Sequence, residues 1–121
     1  MTRVAVCQLA DLVEAEPVRF EPGGPEGRQS PPILVVLAED GEVYSIDDTC
    51  THQEASLSDG WVEGCEIECP LHASRFSLKT GQVDALPATK PVRTHAVTIE
   101  AGTVYVELSE ERPNLPPGVS F

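Results

Sequence analysis

The apolar residues of this chain fall in short runs separated by turn residues. Val4–Cys7 and Val18–Phe20 read as strands, with one helical turn expected over Leu9–Val13. Ile33–Ala38 is the longest apolar run, at six residues. It and Glu42–Asp47 flank Glu-Asp-Gly, a hairpin turn in which Gly41 supplies the positive φ. Val43, Ser45 and Asp47 alternate with Tyr44 and Ile46, the period of a half-buried strand. Ser58–Gly60 reads as a turn, followed by strands at Trp61–Val62 and Glu66–Glu68. Arg75–Leu78 and Gln82–Val83 flank Lys-Thr-Gly, and Val92–Ile99 and Thr103–Leu108 form a last hairpin around Glu-Ala-Gly. No repeat and no long helix is visible. The fold class predicted is all-β, a small antiparallel β sandwich.

Composition sharpens this picture in three places. Eleven prolines and nine glycines in 121 residues imply many turns, and Glu21–Pro32 is rich enough in both to be a surface loop. Ser109–Phe121 is acidic and then proline-rich, and reads as an irregular tail. A membrane span needs about 20 apolar residues, and the N-terminal apolar stretch is too short for a signal peptide. A soluble, cytoplasmic chain is therefore expected. The net charge of −12 argues against nucleic acid and anionic membranes as partners. Glu39–Glu68 holds ten of the twenty acidic residues and neither Lys nor Arg. This stretch reads either as a solvated acidic surface or as a docking face for a basic partner.

The chemistry concentrates between Cys50 and His72. Cys50-Thr-His52 and Cys69-Pro-Leu-His72 each carry one thiolate and one imidazole, with sixteen residues between His52 and Cys69. A Cys2His2 zinc finger groups its cysteines in one half and its histidines in the other. Here each loop supplies one of each. Loops lying side by side would then set the cysteines at one depth and the histidines at another, which suits a two-metal cluster better than one tetrahedral ion. A zinc site and unliganded core residues are the plainer alternatives.

At these residues the chain resembles the Rieske 2Fe-2S family, and within it the soluble ferredoxins of bacterial aromatic-ring-hydroxylating dioxygenases. The matching text is Cys-Thr-His at 50–52, Leu-Ser-Asp-Gly at 57–60, Ile-Glu-Cys-Pro-Leu-His at 67–72, Arg-Phe at 75–76 and Thr-Gly at 80–81. The resemblance implies a base sandwich with an inserted cluster-binding subdomain of two loops. That divides the chain into a domain at 1–108, with the subdomain at about 47–84, and the tail at 109–121. It implies that Cys50 and Cys69 bind the inner iron of one 2Fe-2S cluster, and that His52 and His72 bind the outer iron at the surface. The implied role is a one-electron carrier, not an enzyme. It would take electrons from a flavin-containing ferredoxin reductase and deliver them to a terminal oxygenase in aromatic hydrocarbon catabolism. Both partners would dock near His52 and His72 of a monomer. A small subunit of a nitrite reductase and a zinc-stabilised interaction module are the alternatives.

The remaining residues fit a carrier. An oxygenase needs a further iron held by two histidines and a carboxylate, and only His95 is left once His52 and His72 are spent. No Gly-rich dinucleotide fingerprint is present. His95 itself reads as a surface or half-buried strand residue. Trp61, the single tryptophan, reads as a packing anchor for the subdomain. Cys7 reads as a small buried residue, and Cys65 as a stray thiol open to oxidation. The disulfide that joins the cluster loops in membrane-tethered relatives would need cysteines where Ala55 and Leu71 stand. High-potential relatives carry serine and tyrosine at the positions of Ser74 and Phe76. Ser74 is therefore a candidate donor to a bridging sulfide, or else its hydroxyl faces solvent or backbone. The loss of the tyrosine points to a low potential.

Overall fold

The computed structural model describes residues 3–21, 32–51, 55–70, 74–85, 90–111 and 114. Ten strands are seen among them: β1 (Arg3–Gln8), β2 (Val18–Phe20), β3 (Ile33–Leu37), β4 (Val43–Asp47), β5 (Trp61–Glu63), β6 (Glu66–Glu68), β7 (Arg75–Ser77), β8 (Val83–Ala85), β9 (Thr94–Glu100) and β10 (Thr103–Glu107). Single 3-10 turns at Leu9–Asp11 and Leu57–Asp59 are the only helical pieces among the described residues. The chain is all-β, and every strand pairing is antiparallel. No helix among the described residues is long and apolar enough to cross a membrane.

Six strands form one sheet in the order β1-β10-β9-β4-β3-β2, and four form a second in the order β5-β6-β7-β8. The large sheet is joined at its middle by a short seam, since β4 and β9 pair only through Ser45–His95 and Ile46–Thr94. Its two arms fold over each other. Val104 and Val106 of β10 pack with Ile33 and Val35 of β3, under Val4, Phe20 and Leu12. The sandwich is thus one continuous sheet folded over on itself, with β1 and β2 at its edges.

Strand β3 explains why the longest apolar run lies at Ile33. Ile33 and Val35 face this first core, while Leu34 and Val36 face a second core shared with the four-stranded sheet. A strand covered on both faces needs apolar residues at every position rather than alternation. Each such side chain contributes about 1.5–3 kcal/mol on burial. The second core contains Ile46, Ile67, Phe76, Leu78 and both Cys50 and Cys69. It ties the small sheet to the large one.

The glycine turns form where the local pattern places them, with Gly41 at φ 86°, Gly81 at 76° and Gly102 at 81°. Three expectations need correction. Ser45, Ile46 and Asp47 are all buried, so β4 does not alternate at its end; Ile46 enters the second core while Asp47 enters a polar network on the other side. Trp61 is 61% exposed. It begins β5 at the edge of the small sheet, and its neighbour Val62 packs on the core instead. Cys7 is half-buried rather than buried. The loop at 21–32 lies, apart from its two ends, outside the described residues.

Candidate metal centre

Each cysteine of the motif ends a paired segment. In the first loop, Leu57 N–H donates to the Asp48 carbonyl (2.6 Å), Thr49 bridges Ser56, and Cys50 N–H donates to the Ala55 carbonyl (3.0 Å). In the second, Glu68 pairs with Arg75 and Cys69 N–H donates to the Ser74 carbonyl (2.7 Å). Both cysteines are therefore at the last rung of a short ladder, with the turn just beyond. His52 and His72 belong to those turns in sequence and lie outside the described residues.

Cys50 and Cys69 are both buried, share one apolar cluster, and are not in disulfides. Soft thiolates in an apolar, water-excluding setting suit an iron–sulfur cluster well. Ser74 and Phe76 are wholly buried beside them. The Ser74 hydroxyl therefore does not face solvent. Cys65 is half-buried, and burial together with a hydrogen bond to Asp40 pushes its thiol pKa up, away from the reactive thiolate.

Two acids at the end of β4, both within the acidic stretch 39–68, hold the first loop. Asp48 is buried. Its carboxylate accepts from Arg19 Nε (3.1 Å), from the Ser58 N–H (2.8 Å) and from the Ser56 hydroxyl. Those partners lie on β2 and on the returning limb of the loop, so one carboxylate fixes both ends of the turn that follows.

Asp47 is the centre of the second arrangement. The Arg93 guanidinium donates to it through Nε (2.9 Å) and Nη2 (3.1 Å), and His95 Nε2 lies 2.9 Å from its Oδ1. His95 is buried, where its strand pattern alone reads as a surface or half-buried position. Its Nδ1 accepts the Ser109 N–H (2.9 Å). That places the imidazole proton on Nε2, which donates to Asp47. Burial alone would raise the Asp47 pKa; the bonds from His95 and Arg93 outweigh it and hold the carboxyl below its ordinary range. The only sequence signal for this network is the alternation along the strand that carries His95, which does not by itself tell which face is inward.

A third segment closes over the first loop. The Thr51 hydroxyl, next to Cys50, donates to the Lys90 carbonyl (2.7 Å). Val92 N–H donates to the Gly81 carbonyl (2.9 Å), and a Cβ on Gly81 would sit 2.1 Å from the Val92 oxygen. The backbone of 90–93 thus lies tight against the small sheet.

The outer face of that sheet is acidic. Trp61, Glu63, Glu66, Glu68 and Arg75, with Glu39 from the β3–β4 turn, line a groove of about 600 Å³. Arg75 sits among Glu68 (3.3 Å), Glu63 (3.6 Å) and Glu66 (3.7 Å).

Comparison with known proteins agrees with this arrangement. The Rieske [2Fe-2S] domain family matches residues 2–96. The ferredoxin subunit of 3-phenylpropionate/cinnamic acid dioxygenase from Escherichia coli K12 is 39% identical over 114 residues, covering 93% of this chain and all of that protein. The Sphingomonas yanoikuyae B1 ferredoxin superposes with a TM-score of 0.78 at 36% identity, over 89% of this chain and all of its own. The ferredoxin in the oxygenase–ferredoxin complex of carbazole 1,9a-dioxygenase does so with 0.77 at 35% identity, over 85% and 99%. With matched ladders, buried cysteines and these relatives together, the chain belongs to the Rieske [2Fe-2S] family.

Proposed function

We propose that Cys50, His52, Cys69 and His72 hold the one Rieske-type 2Fe-2S cluster of this chain, carried by residues 47–84. The chain would pass single electrons from a flavin-containing ferredoxin reductase to the terminal oxygenase of an aromatic-ring-hydroxylating dioxygenase. The observation that carries this reading is the pair of buried, disulfide-free cysteines, each at the last rung before its turn and both in one apolar cluster. The relatives support the assignment of role, since they are ferredoxin subunits and one is seen with its oxygenase.

When bound, such a cluster supplies one reversible electron, its oxidised core and two thiolates summing to about zero charge and the reduced form to about −1. The chain's own contribution is to keep water from the two thiolates and to hold both loops at their bases through Asp48 and the Cys69–Ser74 rung. Both partners meet the chain near His52 and His72, and it works as a monomer in the cytoplasm.

Visible and low-temperature EPR spectra, taken with iron and zinc analysis before and after dithionite, test the ligand assignment. The expected result is a red-brown protein with two irons and a rhombic signal on reduction. Cys50→Ser and Cys69→Ser should each yield colourless protein. Zinc in place of iron in the parent chain, even after cluster reconstitution, would refute the assignment.

The acidic groove around Trp61 lies on the small sheet that carries the second loop, and it favours encounter with a basic partner face. Electron transfer to cytochrome c, a basic acceptor, should therefore slow as ionic strength rises through about 0.15 M, where charges beyond about 8 Å are screened. Stopped-flow rates that ignore salt would remove steering from this account.

A further inference from the structure

We infer that the segment after β10, Ser109–Glu111 with Asn114, is a positioning strap for the first ligand loop and thereby helps to set the reduction potential. This rests on the ligand assignment proposed above.

The large sheet holds only the base of that loop, where Asp47 N–H donates to the Arg93 carbonyl (3.0 Å) and Asp48 N–H to the Pro32 carbonyl (2.9 Å). The β4–β9 pairing stops at Ser45–His95 and Ile46–Thr94, and Cys50 lies four residues beyond Ile46. Beyond these bonds runs a chain of polar contacts that reaches the strap. Arg93 Nη1 donates to the carbonyls of Ser109 (3.2 Å) and Glu111 (2.9 Å), while the same guanidinium grips Asp47. Ser109 N–H donates to His95, which donates to Asp47. Asn114 Nδ2 donates to the Pro91 carbonyl (3.0 Å).

Two routes therefore run from the strap to Cys50. One passes through Arg93 and His95 to Asp47, whose neighbour Asp48 anchors the loop. The other passes through Pro91 and Lys90 to the Thr51 hydroxyl. A segment that only finished the sheet would have extended β10. This one leaves the sheet at Glu107 and commits its polar groups to the Arg93 and His95 side chains and to the Pro91 carbonyl. Outer contacts of this kind orient metal ligands and control solvent access to the metal. Water reaching the cluster favours its more negative, reduced form, so a loosened loop raises the potential.

Charge-neutral variants test this without altering long-range electrostatics. Thr51→Val and Asn114→Ala should each retain two irons, raise the midpoint potential in an EPR-monitored redox titration, and broaden the EPR lines. Thr51→Ser keeps the hydroxyl and should match the parent. In the Thr51→Val/Asn114→Ala double variant the shift should fall short of the sum of the two, because both break one route. Potentials and line widths equal to the parent, with only the thermal midpoint lowered, would overturn the strap and leave the ligand assignment intact. Shifts of Thr51→Val and Asn114→Ala that add in full would also overturn it. If Asn114→Ala does not fold, Ser109→Pro, which removes the N–H bonded to His95 on the first route, takes its place: it should by itself raise the potential with two irons retained, and its shift should add to that of Thr51→Val because the two break different routes. A parent chain that binds no iron would instead sink the ligand assignment.

Discussion

Asp48→Ala is expected to cost about 3–5 kcal/mol of folding free energy and to leave the chain without its cluster. The carboxylate is buried and accepts three hydrogen bonds that alanine cannot replace. Arg19 is half-exposed and can turn to water, so its share of the loss is small. The Ser58 N–H and the Ser56 hydroxyl cannot escape as easily, and bonds from such donors to a charged acceptor are worth about 1.5–3 kcal/mol each. Asp48→Asn keeps the shape but presents a donor where donors already point, so it should recover only part of the loss. Urea unfolding and iron content measured on the same preparations check both. A stability within 1 kcal/mol (roughly, the surface-pair range) of the parent would show that Asp48 is not the anchor. For a small domain with about 5–15 kcal/mol in total, the predicted loss is severe.

Gly60→Ala is the second large effect, and its cause is steric. Gly60 has φ −92°, which any residue can adopt, so its freedom of conformation is not the issue. A Cβ there would lie 1.8 Å from the Glu68 carbonyl oxygen and 3.2 Å from that of Leu57. Glu68 cannot retreat cheaply. It pairs with Trp61 on one side and Arg75 on the other, and it precedes Cys69. The added methyl must therefore push the second ligand loop, with an expected cost of about 3 kcal/mol and a loss of bound iron. Gly64→Ala is the control. Gly64 has φ 62° and open space around it, so only the backbone penalty of about 1 kcal/mol applies. That variant should keep two irons. Equal urea midpoints for the two variants would mean that the approach to Glu68 relaxes without cost.

Much of this protein is decided by neighbours in the chain. The turns at Gly41, Gly81 and Gly102 form because glycine accepts a positive φ, a property of the residue itself. The unbroken apolar run at Ile33 marks a strand with two covered faces. The Cys-x-His and Cys-x-x-His pairs carry the proposed ligand set by residue type and spacing alone. Other features depend on what folding brings alongside. Asp47 and Asp48 look like two more acids in an acidic stretch, and become internal anchors only when Arg19, Arg93, Ser56 and Ser58 arrive from elsewhere. His95 is buried because Asp47, 48 residues away in sequence, and the backbone of Ser109 satisfy both ring nitrogens. Trp61 is exposed because a three-residue edge strand has one inward position, and Val62 takes it. In such short strands, alternation tells which residues share a face, but only the opposing sheet decides which face is inside.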